Sequence, residues 1–164
     1  MKALILIGCF SAFFVTACTQ SRYIKKGYAY SQQVKSGVNQ IDEKGNSIIP
    51  EIEIKGFIYL ESKGSIKPKI DKVIYKGISY NNPRVFLAGN SNIEIGDNKA
   101  DGKPIILSPA KGNILWRIDL TLTGKEFNNK TSAQNIIIVK GKKDGHLFSI
   151  KINKVIELQT AVGV

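Results

Sequence analysis

Hydrophobic and polar residues alternate along much of this 164-residue chain. The clearest run is Ile114 to Thr123. Ile114, Trp116, Ile118, Leu120 and Leu122 fall on one face, and Arg117, Asp119, Thr121 and Thr123 on the other. Side chains of a strand point alternately to its two faces, so this strict period predicts an antiparallel strand buried on one side. Trp116 then belongs to a core. Near the C-terminus, residues 135–140 (NIIIVK) and 146–158 (HLFSIKINKVIEL) flank Gly141-Lys142-Lys143-Asp144-Gly145. Two β-rich runs around a short loop ending in Asp-Gly predict a hairpin. In the second run Phe148, Ile150, Ile152, Ile156 and Leu158 share a parity that Lys154 interrupts. Either a sheet rim or a bulge accounts for that break.

Earlier segments follow the same logic. Ile52, Ile54, Ile58 and Leu60 alternate, with Gly56 among them as a candidate bulge or close approach. In KIDKVIYKG the apolar parity shifts between Ile70 and Val73, which predicts a bend near Asp71-Lys72. Residues 84–88 (RVFLA) and 104–107 (PIIL) read as short strands. Tyr28, Tyr30 and Val34 predict one more, at a sheet edge. Turn residues separate the runs at 43–46, 62–65, 81–83, 89–92, 97–102 and 109–113. Residues 124–134 form the longest polar connection, and no helical period or internal repeat is present. Many short strands with frequent turns predict an all-β antiparallel β-sandwich, Ig-like or transthyretin-like in the broad sense, with a small β-barrel as the alternative. The Ig pattern of two cysteines around a tryptophan is absent.

The N-terminus differs from the rest. In MKALILIGCFSAFFVTAC, Lys2 is the only charge before Arg22, and residues 3–17 are apolar apart from Gly8, Ser11 and Thr16. A helix needs about 20 apolar residues to cross a bilayer. This run is shorter and ends in small residues, which describes a secretory signal peptide. Its last four residues, Val15-Thr16-Ala17-Cys18, resemble the lipobox of bacterial lipoproteins. The resemblance implies cleavage before Cys18, a diacylglycerol on its sulfur and acylation of its freed amine. It covers the first 18 residues and leaves the downstream fold unassigned. The chain then divides into a signal peptide (1–17), a lipidated tether (18–27) and a single β-sandwich domain (28–164). Cys9 leaves with the signal and the Cys18 sulfur is occupied, so no disulfide or thiolate metal site is expected. Thr19, where inner-membrane members carry Asp, resembles outer-membrane lipoproteins. Together with the lack of an acidic stretch after Cys18, it implies an outer-membrane address facing the periplasm in a Gram-negative cell. A Gram-positive source would place the protein on the outer face of its only membrane.

Charge narrows the partners. There are 24 Lys+Arg against 13 Asp+Glu, a formal net charge of +11. Such a surface favours anionic partners such as headgroups, glycans or nucleic acid. An exported, tethered protein seldom meets nucleic acid, so no nucleic-acid partner is expected. Arg22, Lys25 and Lys26 follow the anchor closely and can lie against anionic headgroups. Along the sequence the lysines are mixed with acids, as on an ordinary solubilised surface. The densest basic run is Lys67, Lys69, Lys72 and Lys76, with Tyr75 and Tyr80 beside it. These lysines are candidate contacts for an anionic ligand. The simpler account is a solvated strand with lysines guarding a sheet edge.

Candidate chemistry is sparse. The single histidine, His146, follows a turn and reads as a surface residue; nothing positions it as the base of a triad, and no G-x-S-x-G occurs. One histidine and no free cysteine do not make a zinc site. Glu51 and Glu53 share a strand face and read as structural charge, not as a glycosidase pair. The 97–102 stretch (DNKADG) departs from an EF-hand at its third position, Lys99, and its twelfth, Ser108, and reads as a turn. No phosphate-binding G-x-x-x-x-G-K-[ST] is present. The expectation is a non-enzymatic lipoprotein with no catalytic residue, metal or cofactor. Its β-sandwich would bind an envelope protein or stabilise an envelope assembly. One alternative is a binding module for an anionic glycan or lipopolysaccharide, which requires lysines and aromatics to converge on one face. A second is a carboxylate-based enzyme, which requires two acids within catalytic distance.

Overall fold

Two open sheets pack face to face in the computed structural model, which describes residues 23–35, 40–45, 47–48, 52–122 and 136–162. The segment with Cys18, the connection 124–134 and Glu51 lie outside the described residues. The strands among them are β1 (Ile24–Lys35), β2 (Gln40–Ile41), β3 (Ser47–Ile48), β4 (Ile52–Lys63), β5 (Lys69–Tyr75), β6 (Ile78–Asn81) and β7 (Val85–Gly89). They continue with β8 (Ile93–Asp97), β9 (Pro104–Leu107), β10 (Asn113–Leu122), β11 (Ile137–Lys143), β12 (His146–Ile152) and β13 (Val155–Val162). The first sheet has the order β13-β1-β4-β10-β7 and the second β12-β11-β5-β6, with β2–β3 and β8–β9 as separate hairpins. The fold is thus the all-β sandwich that the alternation predicts, not a closed barrel. All pairs are antiparallel except β1 with β13, which run parallel.

The core between the sheets is built from the periodic residues. Ile58, Leu60, Trp116 and Ile118 of the first sheet meet Val73, Val139, Phe148 and Ile152 of the second. Trp116 is buried, and its indole N–H donates to Ser62 Oγ at 2.9 Å, so its one polar atom is satisfied. The register of β4 runs unbroken across Gly56, which pairs with Ser31 on one side and Leu120 on the other, so Gly56 marks no bulge.

The first sheet also buries part of its opposite face. Tyr30, Tyr59, Leu107, Leu115 and Leu158 form a second cluster there, roofed by Ile93, Ile95 and Ile105 of the β8–β9 hairpin. This corrects the edge assignment for the Tyr28–Val34 strand. β1 lies inside the sheet between β13 and β4, because Ala29 faces one core and Tyr30 the other. It also begins at Ile24, which is fully buried, so the folded domain starts inside the stretch read as tether.

The C-terminal run is two strands. β12 ends at Ile152, and Asn153-Lys154 carry the chain from the second sheet to the first. There β13 lies beside β1, with Ile156 opposite Tyr30. The break at Lys154 is therefore a change of sheet, neither a rim nor a bulge. Phe148 and Ile152 enter the inter-sheet core, whereas Leu158 enters the second cluster. The preceding hairpin loop is shorter than the five residues read from sequence. Only Asp144 and Gly145 lie outside the strands, with φ of 53° and 79°, as a type I′ turn requires.

The bend near Asp71 is a β-bulge. Lys72 pairs with Lys140 and Ile70 with Gly141, leaving Asp71 unopposed. The extra residue lets both Ile70 and Val73 point inward although they are three apart. The Asp71 carbonyl accepts from the Asn82 N–H at 2.9 Å. Across the bulge Gly141 has no room for a side chain. A Cβ there would overlap the Lys69 carbonyl oxygen and lie 3.1 Å from Ile70 Cα and Phe148 Cζ. Gly141→Ala is expected to destabilise the fold by ~2 kcal/mol or more, because backbone must shift. Urea unfolding checks this as a lowered midpoint at unchanged slope.

Candidate anion-binding face

The same bulge determines the surface of the second sheet. With Ile70 and Val73 inward, Lys69 and Lys72 both point outward. On β11 the buried residues are Ile137, Val139, Gly141 and Lys143, so Lys140 and Lys142 point outward. On β12 Phe148 and Ile152 are buried and Lys151 is exposed. Register places Lys69 opposite Lys142 and Lys72 opposite Lys140. Five lysines thus share one outer face, alongside Ser79, Asn81 and Ser149. Asp71 is the only acid in the four strands of this sheet. None of these five lysines has an ion-pair partner among the described residues. Directly opposed like charges destabilise a sheet.

The first sheet is arranged differently. Lys55 pairs with Glu53 at 3.8 Å, Arg117 with Asp119, and Lys99 of the β8–β9 loop with Glu157 at 2.9 Å. The Arg117 guanidinium also lies over the Phe57 ring, 4.6 Å from its centroid. The lysines that look interspersed along the chain are therefore segregated in space, with mixed charge on one sheet and cations on the other.

The sequence candidates separate accordingly. Lys69 and Lys72 belong to the lysine face. Lys67 lies in the 64–68 connection, where Lys67, Lys69, Asn82, Pro83 and Arg84 border an open groove of about 380 Å³. Lys76 lies in the β5–β6 turn at φ 49°, its ammonium 5.6 Å from the Tyr75 ring centroid, so it does not join the face. Density along the chain does not find Lys140, Lys142, Lys151 and Arg84, because parity and register across paired strands decide which cations meet. Period-two spacing at Lys140 and Lys142 was the available signal.

The remaining candidates have local roles. His146 is exposed and stacks on Tyr23, with centroids 4.7 Å apart and planes at 9°. Glu53 is exposed beside Lys55. In the β8–β9 turn, Asn98 Oδ1 accepts from the Ala100 N–H and Asp101 Oδ1 from the Lys103 N–H, the self-bonding of a turn. Among the described residues no group of three or more His, Cys, Asp and Glu is placed to hold a metal ion.

Glu61 is the one buried acid among the described residues, at 1% exposure. Its Oε1 accepts from the Ala110 N–H at 2.9 Å and Asn113 Nδ2 at 2.6 Å, and its Oε2 from the Tyr28 hydroxyl at 3.4 Å. Burial pushes its carboxyl up. The bonds from Asn113, Ala110 and Tyr28, with Lys26 nearby, outweigh burial and hold it below the ordinary carboxylate value. The carboxylate pins the 108–112 loop to β4.

A scan of protein-family models found no match to this chain, and neither did searches of curated proteins and of solved structures.

Two outcomes are expected. Because the folded Glu61 carboxyl is depressed, its stabilisation is complete above the ordinary carboxylate range and is lost as pH falls through the folded value. Glu61→Gln should cost ~1–3 kcal/mol at neutral pH, and the gap should close at an acid pH below the ordinary carboxylate range. An equal gap at both pH values in urea titrations would contradict this. Lys140→Thr should raise stability by ~0.5 kcal/mol at low salt by removing the charge opposite Lys72. The gain should shrink as salt shortens the screening length from about 10 Å at 0.1 M to about 3 Å at 1 M.

Proposed function

We propose that this chain is a lipid-tethered, non-catalytic binding module of the cell envelope whose ligand is an anionic glycan. The observation that carries the reading is the outer face of the second sheet, where Lys69, Lys72, Lys140, Lys142 and Lys151 stand together without ion-pair partners among the described residues. The fold bears the cost of opposing like charges there, which a polyanion laid across the strands would relieve. The groove beside Lys67, Lys69 and Arg84 extends the cationic surface around the sheet margin. Ser79, Asn81 and Ser149 beside the lysines supply neutral hydrogen-bonding groups suited to sugar hydroxyls. The lipobox-like Val15–Cys18 supports the tether, and Thr19 an outer-membrane address facing the periplasm.

A second reading, attachment to an envelope protein, is favoured by β7. This five-residue edge strand exposes Phe86 and Leu87 at 46% and 65%. It borders a groove of about 440 Å³ with Tyr59, Glu94, Arg117 and Asp119. An extended peptide could add to that edge.

The test is retention of the full chain, in mild detergent, on a sulfated glycan such as heparin and on immobilised lipopolysaccharide. Lys69→Glu/Lys140→Glu should weaken binding about tenfold or more, equivalent to ~0.7 kcal/mol for each reversed charge. Reversing Lys35 and Lys103, exposed residues away from the second sheet, should have little effect. Equal salt elution of all three proteins would overturn the reading.

A further inference from the structure

One end of the sandwich gathers three features that the lysine face does not use. Lys143, only 2% exposed, donates from Nζ to the Ile66 carbonyl at 2.7 Å and so ties the 64–68 connection to the β11–β12 turn. Ile66 and Leu147 are exposed at this end, at 59% and 75%. Leu147 pairs with Lys142, which pairs in turn with Lys69. The chain also enters the fold here, since Tyr23 stacks on His146, the first residue after the turn. Exposed Lys63 precedes the connection and exposed Lys67 lies within it, and the acid of the adjoining turn, Asp144, pairs with Lys143 at 3.9 Å.

We propose that this end is a bilayer-seating surface. Ile66 and Leu147 enter the boundary between headgroups and acyl chains of a membrane containing anionic phospholipid, while Lys63, Lys67 and Lys142 contact the phosphates. Interfacial binding of this kind combines buried apolar area with attraction to anionic lipid, and lysine stems lie along the boundary with their ammonium groups in water. The occupant follows from chain length and charge. Five peptide units separate Cys18 from Tyr23, so an extended tether reaches at most about 18 Å. A lipid on Cys18 therefore holds this end, and no other, close to the headgroups. Seating it there leaves the rest of the lysine face standing away from the bilayer and open to a glycan. The inference rests on the proposed lipidation of Cys18.

Full-length protein purified from membranes, reconstituted into vesicles of seven parts phosphatidylcholine to three parts phosphatidylglycerol with brominated acyl chains, tests the seat. Leu147→Trp is expected to show blue-shifted emission and several-fold stronger quenching than Leu87→Trp, with buried Trp116 as the common background. Replacing phosphatidylglycerol with phosphatidylcholine should reduce that quenching. Protein that floats with the vesicles but shows equal quenching at both positions would overturn the seat and leave the tether intact. Protein that does not float would overturn the tether, and the seat with it.

Discussion

The first sheet must bury both of its faces, and the rest of the structure is arranged around that demand. β1 carries Ala29 toward one core and Tyr30 toward the other, and β10 does the same with Trp116 and Leu115. A strand apolar on both sides cannot rest at an exposed edge without large loss of burial energy, at roughly 25 cal/mol for each Å² left in water. The second sheet covers one face. The β8–β9 hairpin covers part of the other, held by Leu107 and by the bridge from Asn98 to Leu158 on β13. Among the described residues, covering the first sheet twice leaves the outer face of the second as the broad open sheet surface. Its charge pattern therefore matters more than that of any single loop.

That charge pattern depends on one extra residue. Without the Asp71 bulge, strand parity would send Lys69 and Lys72 to opposite faces and force either Ile70 or Val73 into water. With it, both aliphatics stay inside and both lysines stay outside. The backbone of β11 accommodates the bulge only because Gly141 lacks a side chain where Lys69 and Ile70 approach. Core packing and the lysine face thus share one backbone irregularity, and a change that removed it would disturb both.

Electrostatics separate the two sheets by burial. Glu61, deep beneath a loop, keeps its charge because two donors and a tyrosine hydroxyl replace water around it. Surface pairs on the first sheet, such as Lys99 with Glu157, contribute little individually but leave that side nearly balanced. On the outer face of the second sheet none of the five lysines has an ion-pair partner among the described residues, and proximity of ammonium groups raises the local anion affinity of that surface.

Much of the architecture was legible from the chain. Strict alternation in β10 fixed its facing and the burial of Trp116, the Asp-Gly pair located the C-terminal hairpin, and the parity shift in KIDKVIY marked the bulge. These are local properties, written in spacing and turn residues. The central place of β1, the change of sheet at Asn153-Lys154, the parallel pairing of β13 and the second core were not legible. Each depends on which strands become neighbours, and alternation says which side of a strand is apolar without saying what covers it. The lysine face belongs to the same class. Lys69 and Lys142 lie far apart in sequence, and only the register of β5 against β11 sets them side by side.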